Sequence, residues 1–191
     1  VVEDIFQPQN ASAVIRSCDC FGIQNLHIIE NKNKYKVNPD VALGSSKWVN
    51  LHKHNSTEAN NTKNCIDELK SSGYKIIATT PHGKTTSLED FDVTQKFALF
   101  FGTEKDGLSE EVIEKADVRL KVPLYGFTES LNISVCAAVC LQYLTSKAKA
   151  KVESYYLTEE EKVNTLINWA KQTIKNSDVI EQRILNELKS I

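Results

Sequence analysis

Apolar and polar positions along roughly the first 150 residues follow the spacing of alternating strands and helices. Short buried strands are predicted at residues 1–6, 26–29, 75–80, 97–101 and 119–122. Between them, apolar side chains recur at helical spacing, which predicts helices at residues 11–21, 65–72, from 109 onward and 131–146. Because strands and helices alternate, the pattern predicts an α/β fold, with a parallel sheet flanked by helices.

Two stretches between these elements are less regular. Residues 31–38 are polar and lysine-rich, which indicates a surface loop. Residues 41–51 are ambiguous, because their GSSKW segment suits either a short helix or the lining of a groove.

The pattern becomes purely helical beyond residue 156. Thr158 and Glu161 have the spacing of a capping box, which predicts a helix through residue 174. A second helix is predicted from Ser177 or Asp178 to about residue 188. We therefore expect one domain at residues 1–156 and a helical C-terminal extension at 157–191.

Composition narrows the class of protein. Of the 191 residues, 41% are hydrophobic and 25% are charged, which is ordinary for a globular protein. No apolar run approaches the roughly 20 residues that span a bilayer, and no signal-peptide layout opens the chain. We expect a cytoplasmic protein that has no membrane partner. The absence of methionine suggests that the natural N-terminus lies upstream.

Charge is unevenly distributed around a net value of −2. Residues 27–54 carry five lysines against two acids, a net charge of +3, whereas residues 87–130 carry ten acids against five bases. The lysines are candidates for contacts with a nucleic acid, although a solvated loop explains them equally well.

The five cysteines, at positions 18, 20, 65, 136 and 140, show no zinc-ligand spacing. Cys136 and Cys140 lie four residues apart on one face of a predicted helix and are interpreted as small core residues. We therefore expect reduced thiols and no metal site.

Three loops follow predicted strand ends, where open α/β sheets bind their ligands. The first, residues 8–10, leads into the helix that carries Arg16, which is either an exposed charge or a site residue. The second, residues 101–109, holds Gly102 and Gly107 without the pattern of a Walker or Rossmann phosphate loop. Its Glu104 either binds a ligand or caps the turn.

The third loop, residues 122–134, follows the last predicted strand. Ser130 could simply cap the next helix. Asn132 and Ser134, however, are poor choices for the start of a buried helix unless they have polar partners. Their presence favours a pocket for a polar ligand.

Four segments at residues 10–23, 44–49, 101–117 and 122–139 resemble, in order and spacing, the SpoU (TrmH-type) 2′-O-ribose methyltransferases of the SPOUT superfamily. The likeness covers about residues 1–156. It implies a C-terminal deep trefoil knot, S-adenosylmethionine bound in a bent form within the knot, and a homodimer with each RNA site built across two subunits.

The resemblance also implies roles for particular residues. Chemistry is concentrated in residues 122–144, of which 122–134 would contact the cofactor. The expected cofactor-binding residues are Thr79, Thr80, Gly102, Glu104, Gly107, Val122, Leu124, Gly126, Ser130 and Leu131. Leu124 departs from the methionine common at that position of the family, a tolerable exchange in an apolar contact.

The catalytic candidates are Arg16, Asn10, Glu104, Ser130 and Asn132. A ribose 2′-hydroxyl has a pKa far above neutral, so it needs a proton acceptor or a favourable field. Because arginine is almost always protonated, we favour Arg16 as a stabiliser of the oxyanion over a role as base. The reaction requires no metal.

Expected RNA contacts are Arg16, Lys32, Lys34, Lys36, Lys47 and Lys147. The predicted activity is methyl transfer to a ribose 2′-hydroxyl of structured RNA, with a guanosine in the D-loop of tRNA as the best candidate. The alternatives are an rRNA 2′-O-methyltransferase and an inactive RNA-binding protein of the same fold.

Overall fold

A computed structural model describes residues 1–189 of the chain. The chain divides into two compact units, Val1–Val152 and Glu153–Ile191. None of the helices in the described part is long and apolar enough to cross a membrane.

The first unit alternates strands and helices. Its strands are β1 (Val2–Glu3), β2 (Asn25–Ile29), β3 (Asn50–His54), β4 (Lys75–Thr79), β5 (Thr86–Ser87), β6 (Phe97–Phe100) and β7 (Val118–Lys121). Its helices are α1 (Pro8–Cys20), α2 (Pro39–Ala42), α3 (Asn61–Ser71), α4 (Glu110–Lys115) and α5 (Ile133–Lys151). A short 3-10 helix spans Ser45–Lys47.

All strand pairs are parallel, in two sheets of order β1-β2-β3 and β5-β7-β4-β6. The two sheets are joined where β1 meets the end of β6. There the Glu3 amide donates to the Phe101 carbonyl at 2.9 Å, and the Phe101 amide donates to the Val1 carbonyl at 3.0 Å. The predicted parallel sheet flanked by helices is confirmed.

The sheet is covered by helices because the middle residues of its central strands β4 and β6 are apolar and buried. Ile76, Phe100 and Val112 are fully buried, and they pack with Cys65 and Ile66 of α3 in one cluster. Burying large apolar side chains of this kind contributes roughly 1.5–3 kcal/mol each. Elsewhere α1 packs against α5, so the motif that begins α1 is brought towards the start of α5.

Two buried acids connect β1 to the loops around it. The Glu3 carboxylate accepts hydrogen bonds from the Thr62 hydroxyl at 2.7 Å and from the amide and hydroxyl of Ser109 at 2.9 and 2.8 Å. One Asp4 oxygen accepts from the backbone amides of residues 31, 32 and 33 at 2.8, 2.7 and 3.2 Å. These bonds fix the N-terminus of α4 and the start of the lysine-rich loop, residues 31–38, called the lysine loop below.

The structure resolves one ambiguous segment, adds two strands and shifts the start of one helix. The ambiguous residues 41–51 contain the end of α2, the 3-10 helix and the first residues of β3. Strands β3 and β5 were not predicted, because one is polar and the other has only two residues. Helix α5 begins two residues later than expected, at Ile133, and its N-cap is Asn132 instead of Ser130.

The second unit contains α6 (Glu159–Thr173) and α7 (Ser177–Leu188). The predicted capping box is confirmed, since the Thr158 hydroxyl accepts from the Glu161 amide at 3.2 Å and the Glu161 carboxylate accepts from the Thr158 amide at 2.8 Å.

Candidate active site

A cavity of about 590 Å³ opens at the carboxyl ends of β4, β6 and β7. Its wall is built from the segments that leave these strands, at residues 79–83, 101–108 and 119–124. Residues 129–131 and the first turns of α5 complete it. Its volume lies in the range of small-molecule sites, and it occupies the edge of the sheet where α/β proteins bind ligands. We call it the cofactor cavity below.

The cofactor cavity contains nearly all of the residues expected to bind a cofactor. Those that line it are Thr79, Thr80, Gly102, Glu104, Gly107, Val122, Leu124, Ser130 and Leu131. Gly126 is the exception, because it lies in an exposed loop between Tyr125 and Phe127, and a Cβ added to it would meet nothing within 4 Å.

The loop after β6 closes into a tight turn that only glycine permits at two positions. The Thr103 amide donates to the Gly107 carbonyl at 2.9 Å, and the Gly107 amide donates to the Thr103 carbonyl at 3.0 Å. A Cβ on Gly102 would lie 2.1 Å from the Gly107 carbonyl, and Gly107 has a φ of +70°. Glycine at both ends therefore allows the turn to form, and Glu104 lies within it.

Glu104 is contacted by polar side chains from two other motifs. The Asn10 amide donates to Glu104 Oε1 at 3.0 Å, and the Asn132 amide donates to the same oxygen. The Asn132 amide also donates to Asn10 Oδ1 at 3.2 Å. We call Asn10, Glu104 and Asn132 the amide–carboxylate cluster. It unites residues 122 positions apart in the sequence and holds a carboxylate at the wall of the cofactor cavity.

Asn132 is also the N-cap of α5. Its Oδ1 accepts from the Ser134 amide at 3.0 Å and the Ser134 hydroxyl at 2.6 Å, which gives both polar residues the partners that the sequence pattern demanded. Ser130 is therefore free of the capping role and lies exposed on the cavity wall.

Arg16 is exposed on α1 and does not line the cofactor cavity. Its guanidinium makes no hydrogen bond or ion pair within residues 1–189 that the structure describes. Six residues separate it from Asn10, which turns it about 120° away from Asn10 around the helix. One copy of the chain thus brings Asn10 to Glu104, which lines the cavity, and leaves Arg16 facing solvent.

The expected RNA-binding lysines fall into two groups. Lys32, Lys34, Lys36 and Lys47 are exposed. Lys147 instead donates to the backbone carbonyls of Glu89 and Phe91 at 2.6 and 2.8 Å, so it fixes the loop before β6. The lysine loop is tied to α1, because the buried Tyr35 hydroxyl donates to the Ala11 carbonyl at 2.7 Å.

Sequence reasoning missed other residues that line the cavity, among them Arg119, Cys136 and Cys140. Cys140 is buried and Cys136 is half-buried. Their thiols hydrogen-bond each other, which lowers the pKa of Cys136 and raises that of Cys140. Both cysteines follow Asn132 at intervals of four on the same helix face. That spacing fits a core position equally well, which is how the sequence pattern was interpreted.

The sequence model of the SpoU rRNA Methylase family matches residues 1–142. The chain belongs to this family.

Individual SpoU relatives match nearly the whole chain. The tRNA (guanosine(18)-2′-O)-methyltransferase of Borreliella burgdorferi is 47% identical over 184 residues, which are 96% of this chain and 82% of the relative. The crystal structure of the Aquifex aeolicus TrmH/SpoU tRNA modifying enzyme superimposes with a TM-score of 0.79 at 31% identity, over 91% of this chain and 88% of that one. The SpoU methyltransferase AviRb of Streptomyces viridochromogenes, solved with AdoMet, shares the fold with a TM-score of 0.65 at 22% identity, over 78% of this chain and 57% of that one.

Proposed function

We propose that the chain transfers a methyl group from S-adenosylmethionine to the ribose 2′-hydroxyl of guanosine 18 in tRNA. The observation that carries the proposal is the amide–carboxylate cluster at the wall of the cofactor cavity. A relative that is named for this reaction supports the proposal. It is 47% identical to this chain, and the match covers 82% of that relative. The proposal places the enzyme in the cytoplasm, with its substrate.

The cofactor cavity suits S-adenosylmethionine in size and lining. The Gly102–Gly107 turn and the strand ends at Thr79, Thr80 and residues 120–122 offer backbone groups for the adenosyl part, while Leu124 and Leu131 offer apolar contacts. S-adenosylmethionine supplies a methyl group already activated by its sulfonium. The protein therefore needs mainly to hold the acceptor hydroxyl in line and to stabilise the charge that develops on it.

Arg16 is proposed to stabilise the developing 2′-oxyanion, because its guanidinium is permanently charged and offers several donors. The amide–carboxylate cluster and Ser130 are proposed to position the ribose and the cofactor against each other. Glu104 is suited to this because the amides of Asn10 and Asn132 fix one of its oxygens.

Arg16 is proposed to act at the cofactor cavity of a second copy, in a homodimer. Two observations support this. Arg16 does not line the cofactor cavity of its own chain. In addition, Val135, Val139 and Tyr143 form an exposed apolar stripe on α5, the helix whose first turns line that cavity. Burying such a stripe against a second copy favours association.

The proposal includes the deep trefoil knot of the SpoU fold. It is supported by the segment that leaves the last strand, because its residues Val122, Leu124 and 129–131 line the same cavity as the Gly102–Gly107 turn. Sheet rules alone would not lead to a knot, since knots are almost absent from proteins.

The test is methyl transfer from labelled S-adenosylmethionine to an unmodified tRNA transcript, with the product mapped by nuclease digestion. We expect one labelled ribose, at G18, and no label in a matched transcript that carries 2′-deoxyguanosine at that position. Label at another ribose of tRNA, or only in rRNA, would overturn the substrate. Cofactor and tRNA binding without any transfer would indicate an inactive RNA-binding protein.

A further inference from the structure

Three residues far apart in the sequence meet near the edge strand β3, which does not belong to the sheet whose strands β4, β6 and β7 border the cofactor cavity. His27 lies on β2, His54 ends the edge strand β3, and Cys65 lies on α3. Each offers one ligand atom, and the three atoms lie within 4.8 Å of one another. None of the three lines the cofactor cavity. Their separation along the chain, 27 and 11 residues, matches no zinc motif, so the sequence pattern gave no sign of a metal site.

Two imidazole nitrogens of the group already lie close together. His27 Nδ1 and His54 Nε2 are 3.0 Å apart, within hydrogen-bond distance. Two nitrogens bound tetrahedrally to zinc at 2.0–2.1 Å are about 3.3 Å apart, so a metal ion would separate the rings by only a few tenths of an ångström.

The surrounding side chains hold this arrangement in place. His52 stacks on His27 with ring centroids 4.5 Å apart, and its Nε2 is bonded to Asn25 Oδ1 at 3.0 Å. Strand pairing places Ile29 of β2 opposite His54, which fixes how far His54 extends along the edge. Glu68 of α3 adds a negative charge near His54 that favours a cation.

Cys65 decides which class of ion fits. Its side chain is fully buried. A divalent ion would replace the thiol proton and compensate the thiolate charge. One sulfur and two imidazole nitrogens suit zinc, cobalt, nickel or copper, whereas magnesium and calcium prefer oxygen ligands.

We propose that His27, His54 and Cys65 form a binding site for a divalent metal ion of the zinc class, with water as the fourth ligand. The ion would connect the edge strand β3 to β2 and α3, and so stabilise the sheet without taking part in methyl transfer. The site goes beyond the proposed function and depends on none of it.

The test uses the full chain, freed of metal with a chelator, and Co²⁺ as a spectroscopic probe. We expect a thiolate-to-cobalt absorption band in the near ultraviolet that saturates at one ion per chain. We also expect Zn²⁺ at about 100 times its Kd to displace the cobalt and raise the Tm by about 5 °C or more.

Four variants make the result specific. Cys65→Ala removes the buried thiol. His54→Gln and His27→Gln each remove one ligand nitrogen at a partly exposed position. They keep the proposal testable if the Cys65→Ala chain does not fold. Cys20→Ala is the matched control, because Cys20 is an exposed thiol outside the group. The band should vanish in Cys65→Ala, weaken at least tenfold in both histidine variants and persist in Cys20→Ala. A wild-type chain without the band, or a band that survives in Cys65→Ala, overturns the proposal.

Discussion

The cofactor side and the RNA side of the candidate site differ in how far one copy of the chain completes them. On the cofactor side, the Gly102–Gly107 turn closes on itself and Glu104 is held by two amides. On the proposed RNA side, the side chains of Arg16 and of the lysines of the lysine loop are exposed. One side is preorganised by the fold alone, whereas the other is proposed to need tRNA and a second subunit.

Helix α1 contributes to both sides, which makes the difference instructive. Asn10, in its first turn, belongs to the amide–carboxylate cluster. Arg16, further along the helix, is exposed to solvent. Tyr35 also binds α1, through the Ala11 carbonyl. The helix therefore connects the cofactor side to the lysine loop in a fixed geometry.

Removing the arginine should have the largest effect. Arg16→Ala is expected to slow methyl transfer about 1,000-fold, because the 2′-oxyanion loses its charged donors. Cofactor affinity should stay within about twofold, since the proposed partner of Arg16 is the ribose 2′-oxyanion and not S-adenosylmethionine. Single-turnover transfer and calorimetric titration with S-adenosylmethionine measure the two quantities. Full activity in this variant would contradict the role given to Arg16.

Disturbing the turn should break the cofactor side instead. Gly102→Ala places a Cβ 2.1 Å from the Gly107 backbone, so the turn must open. We expect cofactor affinity to fall, and methyl transfer to slow about 100-fold, because misplacing a reacting group by about 1 Å costs about that factor in rate. Gly126→Ala is the matched control, since its Cβ meets nothing and should leave affinity unchanged. Equal loss in both variants would contradict the turn's role.

Neutralising the lysine loop should have the smallest effect. With Lys32, Lys34 and Lys36 all changed to alanine, we expect tRNA affinity to fall about tenfold and the salt dependence of log K to lose about 2 units of slope. Lys147→Ala is the control, because its ammonium already binds two carbonyls. It should leave the salt slope unchanged and lower the free energy of unfolding by about 1 kcal/mol. The reverse pattern would assign RNA binding to Lys147.

Much of the fold follows from periodicity. The apolar runs of β4 and β6 and the helical spacing of α1 and α5 are strong local signals, and the structure contains these elements with boundaries shifted by a few residues. Strand β3 was not predicted because its sequence, NLHKH, is polar. As an edge strand it needs no apolar pattern on both faces, so local sequence carries little information about it.

The contacts that build the site could not be derived from spacing. Nothing local connects Asn10 with Asn132, or Glu3 with Ser109, because strand order alone brings these residues together. The same holds for His27, His54 and Cys65. The resemblance to a family identified the motif residues. It did not predict contacts that only the folded chain makes, such as the hydrogen bonds of Glu3 and the histidine pair.

The most direct test asks whether Arg16 serves the cavity of a second copy. Arg16→Ala and Gly102→Ala chains with different tags are co-expressed, and the mixed dimer is isolated through both tags. In this dimer one cavity is intact and meets an intact Arg16 from the partner, so about half of the wild-type transfer rate per dimer is expected. A mixed dimer as inactive as its two parents would mean that Arg16 serves its own chain, which would contradict a site completed by two copies.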